Sequence, residues 1–282
     1  MPCDARMATG PERYPLTQEH VDAFRRDGWV VLPDFIGEAA LRELEHDYMR
    51  LLRREVPVRG RDYCDMTSGY ERPIEDFELL NVMLPRTYLP ALRGNIYEQR
   101  AAAVVEELLG DGFALDYDQL VAKPPRRAGA VFHWHQDLGY WPITADTRTA
   151  TFWLALDDVD DDNGCVRFVD GSHLEPELRQ HLPLHGDRDR SHSLVAEVDV
   201  ERDRVRSAVM KRGSVTVHHE RTVHGSQGNG SDRWRRGYVL AFRSEETVAA
   251  ERALGFTHSH NDDAEVLTAI AEQTRRREAG GS

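Results

Sequence analysis

The chain has 282 residues, of which 40% are hydrophobic, and its 36 basic and 49 acidic residues give a formal net charge of −13. This apolar content is sufficient for a buried core. The acidic balance argues against nucleic acids or anionic membranes as partners, because both require a basic surface. Three widely spaced cysteines without a CxxC pair predict neither a zinc knuckle nor a disulfide framework. There is no signal-peptide pattern and no apolar run of roughly 18 residues, so we expect a cytoplasmic protein.

Three helices are predicted in the first part of the chain, after a flexible tail at residues 1–15. The first helix lies between an N-cap at Thr17 and a stop at Gly28, and the strand-like run WVVLPDFI follows it. The second covers GEAALRELEHDYMRLLRREV, in which leucines recur at helical spacing. The third covers ALRGNIYEQRAAAVVEELLG and ends at Gly110. Residues 57–88 between the last two show no clear period, and we expect loops there.

From Phe113 the pattern changes to short β-rich runs that are separated by turn residues. In TATFWLALD, for example, Phe152 and Leu154 alternate with Thr151 and Trp153, which is the period of a strand. Seven runs of this kind follow one another: FALDYDQLVAK, AVFHWHQD, TATFWLALDDV, CVRFVDG, SLVAEVDV, GSVTVHH and RRGYVLAFRS. Such a series is typical of a β-sandwich or a jelly-roll barrel.

The sequence therefore predicts a mainly β fold with helical decoration, in one domain over residues 16–282. Its helical N-terminal part would cover residues 16–110 and its β core residues 111–243. Residues 244–282 would form one helix, near DDAEVLTAIAEQTRRR, and a tail. We find no internal repeat and no long low-complexity linker.

The stretch VFHWHQDLGYWP carries a candidate metal site. If it is extended, the side chains of His135 and Asp137 project to the same side of the sheet and can occupy two corners of a coordination sphere. A third ligand from another strand would complete the two-histidine, one-carboxylate set that leaves open positions on Fe(II). His224 offers this ligand, because it follows the β run SVTVHH and opens a glycine-rich turn.

Two arginines, Arg235 and Arg236, begin the strand after that turn. The guanidinium fork of an arginine can bind a carboxylate through two hydrogen bonds. The arrangement indicates an acidic co-substrate beside the metal. Either arginine could fill this role.

Four blocks of the sequence resemble the phytanoyl-CoA dioxygenase family. They are LTQEHVDAFRRDGWVVLPDFI, WHQD with the YW that follows it, FWLALDDVDDDNGCVRFVDGSH and HGSQGNGSDRWRR, and they occur in the family's order over residues 16–243. The resemblance implies a double-stranded β-helix, which is a jelly-roll or cupin-like barrel, flanked by N-terminal helices. It also implies an oxygenase that uses Fe(II), 2-oxoglutarate and O2 and releases succinate and CO2.

By position, the resemblance assigns His135, Asp137 and His224 as the iron ligands. Five further positions match residues that the family places around 2-oxoglutarate: Arg235, Ser226, Trp153, Gln119 and Lys123. The spacing of eleven residues from His224 favours Arg235 over Arg236 as the partner of the distal carboxylate. Asp137 also argues against halogenation, because related halogenases have a small residue at that position. The family's frequent PGSH is DGSH here, a change that concerns only the rigidity of a turn.

Two functional classes stay open from the sequence. The first is an oxygenase that hydroxylates, desaturates or cyclises a small molecule of specialised metabolism. The second is a jelly-roll protein that binds a metal without turnover or uses it for hydrolysis. Because a chain of net charge −13 suits coenzyme A esters poorly, we expect a cationic or polyhydroxylated substrate. His133 is expected to be a substrate contact or an exposed residue, and residues 175–206 are a candidate lid.

Overall fold

The computed structural model describes residues 13–188 and 190–280, without the side chains at 264 and 273–280. The described helices are α1 Gln18–Asp27, α2 Glu38–Leu52, α3 Pro85–Tyr88, α4 Ile96–Leu109, α5 Glu245–Ala253 and α6 Asp263–Gly280. The described strands are β1 Trp29–Leu32, β2 Tyr63–Asp65, β3 Leu80–Met83, β4 Phe113–Lys123, β5 Phe132–His135, β6 Thr149–Ala155, β7 Val166–Val169, β8 His181–Pro183, β9 Leu194–Ala196, β10 Val205–Ser207, β11 Val215–His218, β12 His224–Ser226 and β13 Arg235–Ser244.

The strands form two main antiparallel sheets. The larger has the order β1-β11-β6-β13-β4-β3-β2 and the smaller the order β10-β7-β12-β5, while β8 and β9 form a separate hairpin. Within the described residues neither main sheet closes on itself. The predicted mainly β jelly roll with N-terminal helices is therefore confirmed, as two open layers.

Each side of the large sheet carries its own core, because side chains alternate along a strand. On β6, Phe152 and Leu154 pack with the N-terminal helices in an outer core. Trp153 points the other way, into an inner core between the two sheets. In that inner core Trp29 of the large sheet stacks on Phe168 of the small sheet, with ring centroids 4.5 Å apart.

The helix predictions in the N-terminal part are confirmed. Thr17 caps α1 by accepting from a backbone N–H, and Gly28 ends that helix in the left-handed region at φ 82°. Helix α2 lies within its predicted range, and α4 ends directly before Gly110. The leucine stripe of α2 is buried against the large sheet, as its helical spacing predicted.

Three expectations need correction. The segment 57–88 contains β2 and β3, which extend the large sheet beyond β4. The C-terminal part has two helices, α5 and α6, where one was predicted. Residues 1–12 of the predicted tail lie outside the described residues, but Tyr14 is only 7% exposed and donates a hydrogen bond to the carbonyl of Pro33.

None of the helices in the described part of the chain is both long and apolar enough to cross a membrane.

Candidate metal centre and co-substrate pocket

Three predicted ligands meet between the sheets. His135 ends β5 and lies opposite His224, the first residue of β12, in an antiparallel pair. Asp137 begins a short 3-10 turn directly after β5. The Nε2 atoms of both histidines lie 3.6 Å from Asp137 Oδ1, so a single ion can contact all three groups. Gly225 permits the close approach of the strands, since a Cβ there would lie 2.9 Å from the carbonyl oxygen of Phe132.

Backbone carbonyls orient both imidazoles. Nδ1 of His135 lies 2.7 Å from the carbonyl oxygen of His133, and Nδ1 of His224 lies 2.9 Å from that of Thr222. Because a carbonyl only accepts, each Nδ1 carries the proton and each Nε2 keeps its lone pair for a metal. Burial also lowers the pKa of His224 well below its usual value, which keeps that ring neutral.

The Asp137 carboxylate is held by residues behind it. Its Oδ2 accepts from Thr151 Oγ1 at 3.3 Å and lies 3.3 Å from His218 Nε2, so Oδ1 remains available for a metal. Burial alone would raise the pKa of Asp137, but His224, His135 and His218 hold it well below its usual value. A set of two imidazoles and one carboxylate suits Fe(II).

The sequence interpretation missed His218. It is 3% exposed and faces the candidate metal centre. The strand period of VTVHH could have predicted its orientation, because Val215 and Val217 point into the outer core. His218 therefore has to point inward.

Arg235 lies in the same cavity without an anionic partner. Its side chain points inward from the start of β13, it is 2% exposed, and its guanidinium lies 4.3 Å from the centre of the Trp153 ring. Its Nε has no hydrogen-bond partner, and among the described residues no carboxylate lies within ion-pair distance. Burial lowers the pKa of Arg235 to about 10, so it stays cationic at neutral pH. Since a buried, unpaired charge is unfavourable, this guanidinium is suited to an anionic ligand.

Arg236 has the opposite environment. Its guanidinium pairs with Asp157 and with Glu45, each at 2.6 Å, on the helical side of the sheet. Consecutive residues of a strand point to opposite faces, so only one of the two arginines can reach the cavity. The structure places Arg235 there.

Ser226 and Lys123 form a pair at the rim of the same site. Ser226 lines the cavity, and its Oγ accepts a hydrogen bond of 2.6 Å from Lys123 Nζ. Lys123 also donates to the carbonyl of Gln227. Lys123 is fully buried and is not among the residues that line the cavity, and its place around 2-oxoglutarate stays a prediction. It holds the Ser226 hydroxyl, whose own proton can then be donated to a ligand.

Trp153 and Gln119 both line the cavity that the three predicted ligands share. The Trp153 ring lies against Gly237 on the neighbouring strand β13, and a Cβ at Gly237 would overlap that ring. Gln119 donates through Nε2 to Asn81 Oδ1, and Asn81 is fully buried.

The remaining wall of the cavity is mostly apolar. Apart from the residues above, its wall includes Met66, Met83, Tyr117, Tyr140, Trp141 and Phe256. His258 and His260 are both 3% exposed and also line the cavity. The C-terminal segment therefore closes one side of the cavity.

His133 lies outside this cavity, whereas residues 175–206 contact the loop that carries Asp137. His133 is half-buried and lines a neighbouring groove with Trp134 and Arg167, outside the metal cavity. Residues 175–206 are fastened to the loop that carries Asp137: the backbone N–H of Gln136 donates to His181 Nε2 at 2.9 Å. One residue of this segment, His192, lines the metal cavity.

A second group of acids and a histidine lies beneath this wall. Asp116, Glu251 and His258 approach one another closely enough for a metal ion. However, Arg243 Nη1 already donates to Glu251 Oε1 at 2.6 Å, and Arg252 pairs with Asp116. The two guanidinium groups therefore already supply the positive charge that a metal ion would bring to these carboxylates.

Comparison with known proteins agrees with the resemblance of the sequence blocks. Residues 24–237 match the family model described as phytanoyl-CoA dioxygenase (PhyH). The peroxisomal phytanoyl-CoA dioxygenase of Bos taurus is 24% identical over 253 residues, covering 82% of this chain and 69% of that protein.

Solved structures show the same architecture. EvdO2 from Micromonospora carbonacea var. aurantiaca, which has also been solved with 2-oxoglutarate, is 27% identical with a TM-score of 0.66, covering 81% of this chain and 91% of that chain. SnoK, a non-haem α-ketoglutarate-dependent carbocyclase from nogalamycin biosynthesis, shares the fold at 23% identity and a TM-score of 0.65, covering 84% of this chain and 87% of that chain. The chain belongs to the phytanoyl-CoA dioxygenase family and is an Fe(II)- and 2-oxoglutarate-dependent dioxygenase.

Proposed function

We propose that this dioxygenase oxidises a small organic molecule by hydroxylation, desaturation or oxidative cyclisation, with succinate and CO2 as co-products. His135, Asp137 and His224 would hold Fe(II). Arg235 and Ser226 would bind the distal carboxylate of 2-oxoglutarate. The observation that carries the proposal is the buried guanidinium of Arg235, which has no acidic partner in the described part of the chain and lines the same cavity as the three predicted ligands.

Each protein group has a separate task in this proposal. When bound, Fe(II) and 2-oxoglutarate together supply the redox chemistry that activates O2. The backbone carbonyls behind His135 and His224 fix the imidazoles, and Thr151 fixes the carboxylate of Asp137. Trp153 and Gln119 would line the co-substrate site, while Lys123 would position Ser226. The inner core around these residues excludes bulk water, which strengthens the ionic contacts.

The same arrangement disfavours the alternative function. A protein that only binds a metal has no use for a buried arginine in the metal cavity that lacks an acidic partner among the described residues. A chelating acid such as 2-oxoglutarate uses both the open metal positions and the guanidinium. We propose that the reaction belongs to specialised metabolism and takes place in the cytoplasm. We further propose that the substrate is a cationic or polyhydroxylated molecule.

The test of this function uses the purified protein with Fe(II) and 2-oxoglutarate. Mixed anaerobically, they should give the visible charge-transfer band of the iron-bound co-substrate, and admission of air should release succinate. His224→Ala should abolish both signals, whereas His133→Ala, which alters a histidine outside the cavity, should retain them. Absence of the band and of succinate in the wild-type protein would disprove the oxygenase function.

A further inference from the structure

Asp263 is a buried carboxylate on the wall of the metal cavity. It begins α6, is 2% exposed, and lines the same cavity as His135 and Arg235. One of its oxygens accepts from the backbone N–H of Thr257 at 3.2 Å. None of the cationic nitrogens that the structure describes lies within 4 Å of its carboxylate, and burial raises the pKa of Asp263 to about 6.

The cationic groups nearest to Asp263 are engaged elsewhere or lie off the cavity. His258 Nε2 lies 2.8 Å from Asp116 Oδ2, and Arg252 pairs with the same carboxylate. Arg188 is not among the residues that line the cavity, and it forms no ion pair with Asp263 in the described structure. These cations therefore leave the Asp263 charge without a direct partner.

The other titratable groups of this wall do not supply a compensating charge. Burial lowers the pKa of His260 to about 3 and that of His192 well below its usual value, so both rings are neutral. At the metal centre, the charges of Fe(II), 2-oxoglutarate, Asp137 and Arg235 cancel. Asp263 is the remaining anionic side chain on the described cavity wall.

The cavity wall that includes Asp263 also carries large apolar and aromatic side chains. Tyr117, Trp141 and Phe256 line the cavity together with Met66. In such an environment an ion pair is stronger than in water.

We propose that the substrate carries a cationic nitrogen on an otherwise apolar body, and that Asp263 is the residue that binds this nitrogen. The apolar part then lies against the aromatic wall and reaches the metal centre. This inference rests on the proposed function and narrows its substrate class to amines. Asp263 acts in selecting the substrate and takes no part in O2 activation.

The experiment compares amines with alcohols of the same shape. The pairs are tryptamine with tryptophol, 2-phenylethylamine with 2-phenylethanol, and hexylamine with hexanol. Binding to the protein loaded anaerobically with Fe(II) and 2-oxoglutarate is measured by calorimetry. At least one amine should bind tenfold or more tightly than its alcohol, and Asp263→Asn should remove that preference. Asn keeps the acceptor for Thr257, so the fold is retained.

Glu265→Gln is the matched control, because it removes one negative charge from an exposed position of the same helix. It should leave the preference for the amine unchanged. Equal affinity of amines and alcohols, failure of every amine to bind at millimolar concentration, or a preference that survives in Asp263→Asn would overturn the inference. The charge-transfer band is recorded in every sample. If the band forms, only the assignment of Asp263 fails; if it does not form in the wild-type protein, the proposed function fails.

Discussion

Arg235 and Arg236 are neighbours in the chain but have opposite electrostatic surroundings. Arg236 has two carboxylate partners, whereas the buried Arg235 has an aromatic ring at 4.3 Å and an unpaired Nε. The residue type alone does not distinguish them. Their places on a strand do, because consecutive side chains point to opposite faces.

Replacing Arg235 tests its role directly. Arg235→Gln should weaken 2-oxoglutarate binding by about 2 kcal/mol or more, which is roughly thirtyfold, because a buried carboxylate loses its charged partner. Iron binding should persist. Titration of the charge-transfer band with 2-oxoglutarate, together with a separate iron determination, measures both effects.

Arg236→Gln serves as the control for this prediction. It removes the same charge one residue away, so it should lower thermal stability by breaking the contacts with Asp157 and Glu45. Its affinity for 2-oxoglutarate should equal that of the wild-type protein. Loss of iron from Arg235→Gln would show that the roles are assigned incorrectly.

At the scale of elements, the packing of β6 against β13 depends on Gly237, which pairs with Ala155 and lies against the Trp153 ring. A side chain at Gly237 would occupy the space of the Trp153 indole. Gly237→Ala should therefore displace that ring, weaken 2-oxoglutarate binding and lower the melting temperature. Gly230→Ala should change neither property, since its added Cβ would meet its nearest neighbour at an ordinary 3.6 Å. Unchanged affinity in Gly237→Ala would contradict a role of Trp153 in the pocket.

A buried ionic network fastens α5 to the large sheet. Arg243 is 1% exposed at its side chain, and its guanidinium lies 2.6 Å from Glu251 and 3.3 Å from Glu220. Arg243→Met should lower the free energy of unfolding by about 3–5 kcal/mol, because buried carboxylates would remain without a partner. Arg42→Met, which breaks the exposed pair with Glu38, should cost well under about 1 kcal/mol. Urea unfolding of both variants would measure the difference.

The sequence predicted the elements that depend on contacts between residues close together in the chain, and it missed those that depend on distant residues. The alternation on β6 and the capping of α1 are local, so the sequence carried them directly. In contrast, β2 and β3 are three and four residues long, too short to show a period. They are strands because they pair at the edge next to β4, which lies far away in the sequence.

In the candidate site too, residues identified by local sequence pattern were predicted, and residues brought in by long-range folding were missed. The alternation of His135 and Asp137 and the position of His224 were sufficient to propose a metal centre. Asp263 and His260 were not predicted as cavity residues, because their positions depend on the return of the C-terminal segment over the sheets. Lys123, which the resemblance matched by position, donates a hydrogen bond to Ser226, and its place around 2-oxoglutarate stays a prediction.

On the scale of the whole molecule, the N-terminal helices pack away from the candidate site, whereas the C-terminal segment (residues 256–263) lines its cavity. Helices α1, α2 and α4 cover the outer core on one side of the large sheet. Residues 256–263 contribute to the cavity on the other side. Changes of substrate preference are therefore expected from the C-terminal segment, whereas changes in α2 should alter stability alone.

The pairing of His135 with His224 connects iron supply to the persistence of the fold. The two ligands lie far apart in the sequence, so an unfolded chain offers no formed site, and the ion binds the folded state preferentially. Each tenfold rise of free metal above the dissociation constant should then add about 1.4 kcal/mol to the free energy of unfolding. Melting temperatures measured over a series of buffered metal concentrations should rise accordingly, and His224→Ala should make them independent of metal. A cell depleted of iron would thus lose both the activity of this protein and part of its resistance to unfolding.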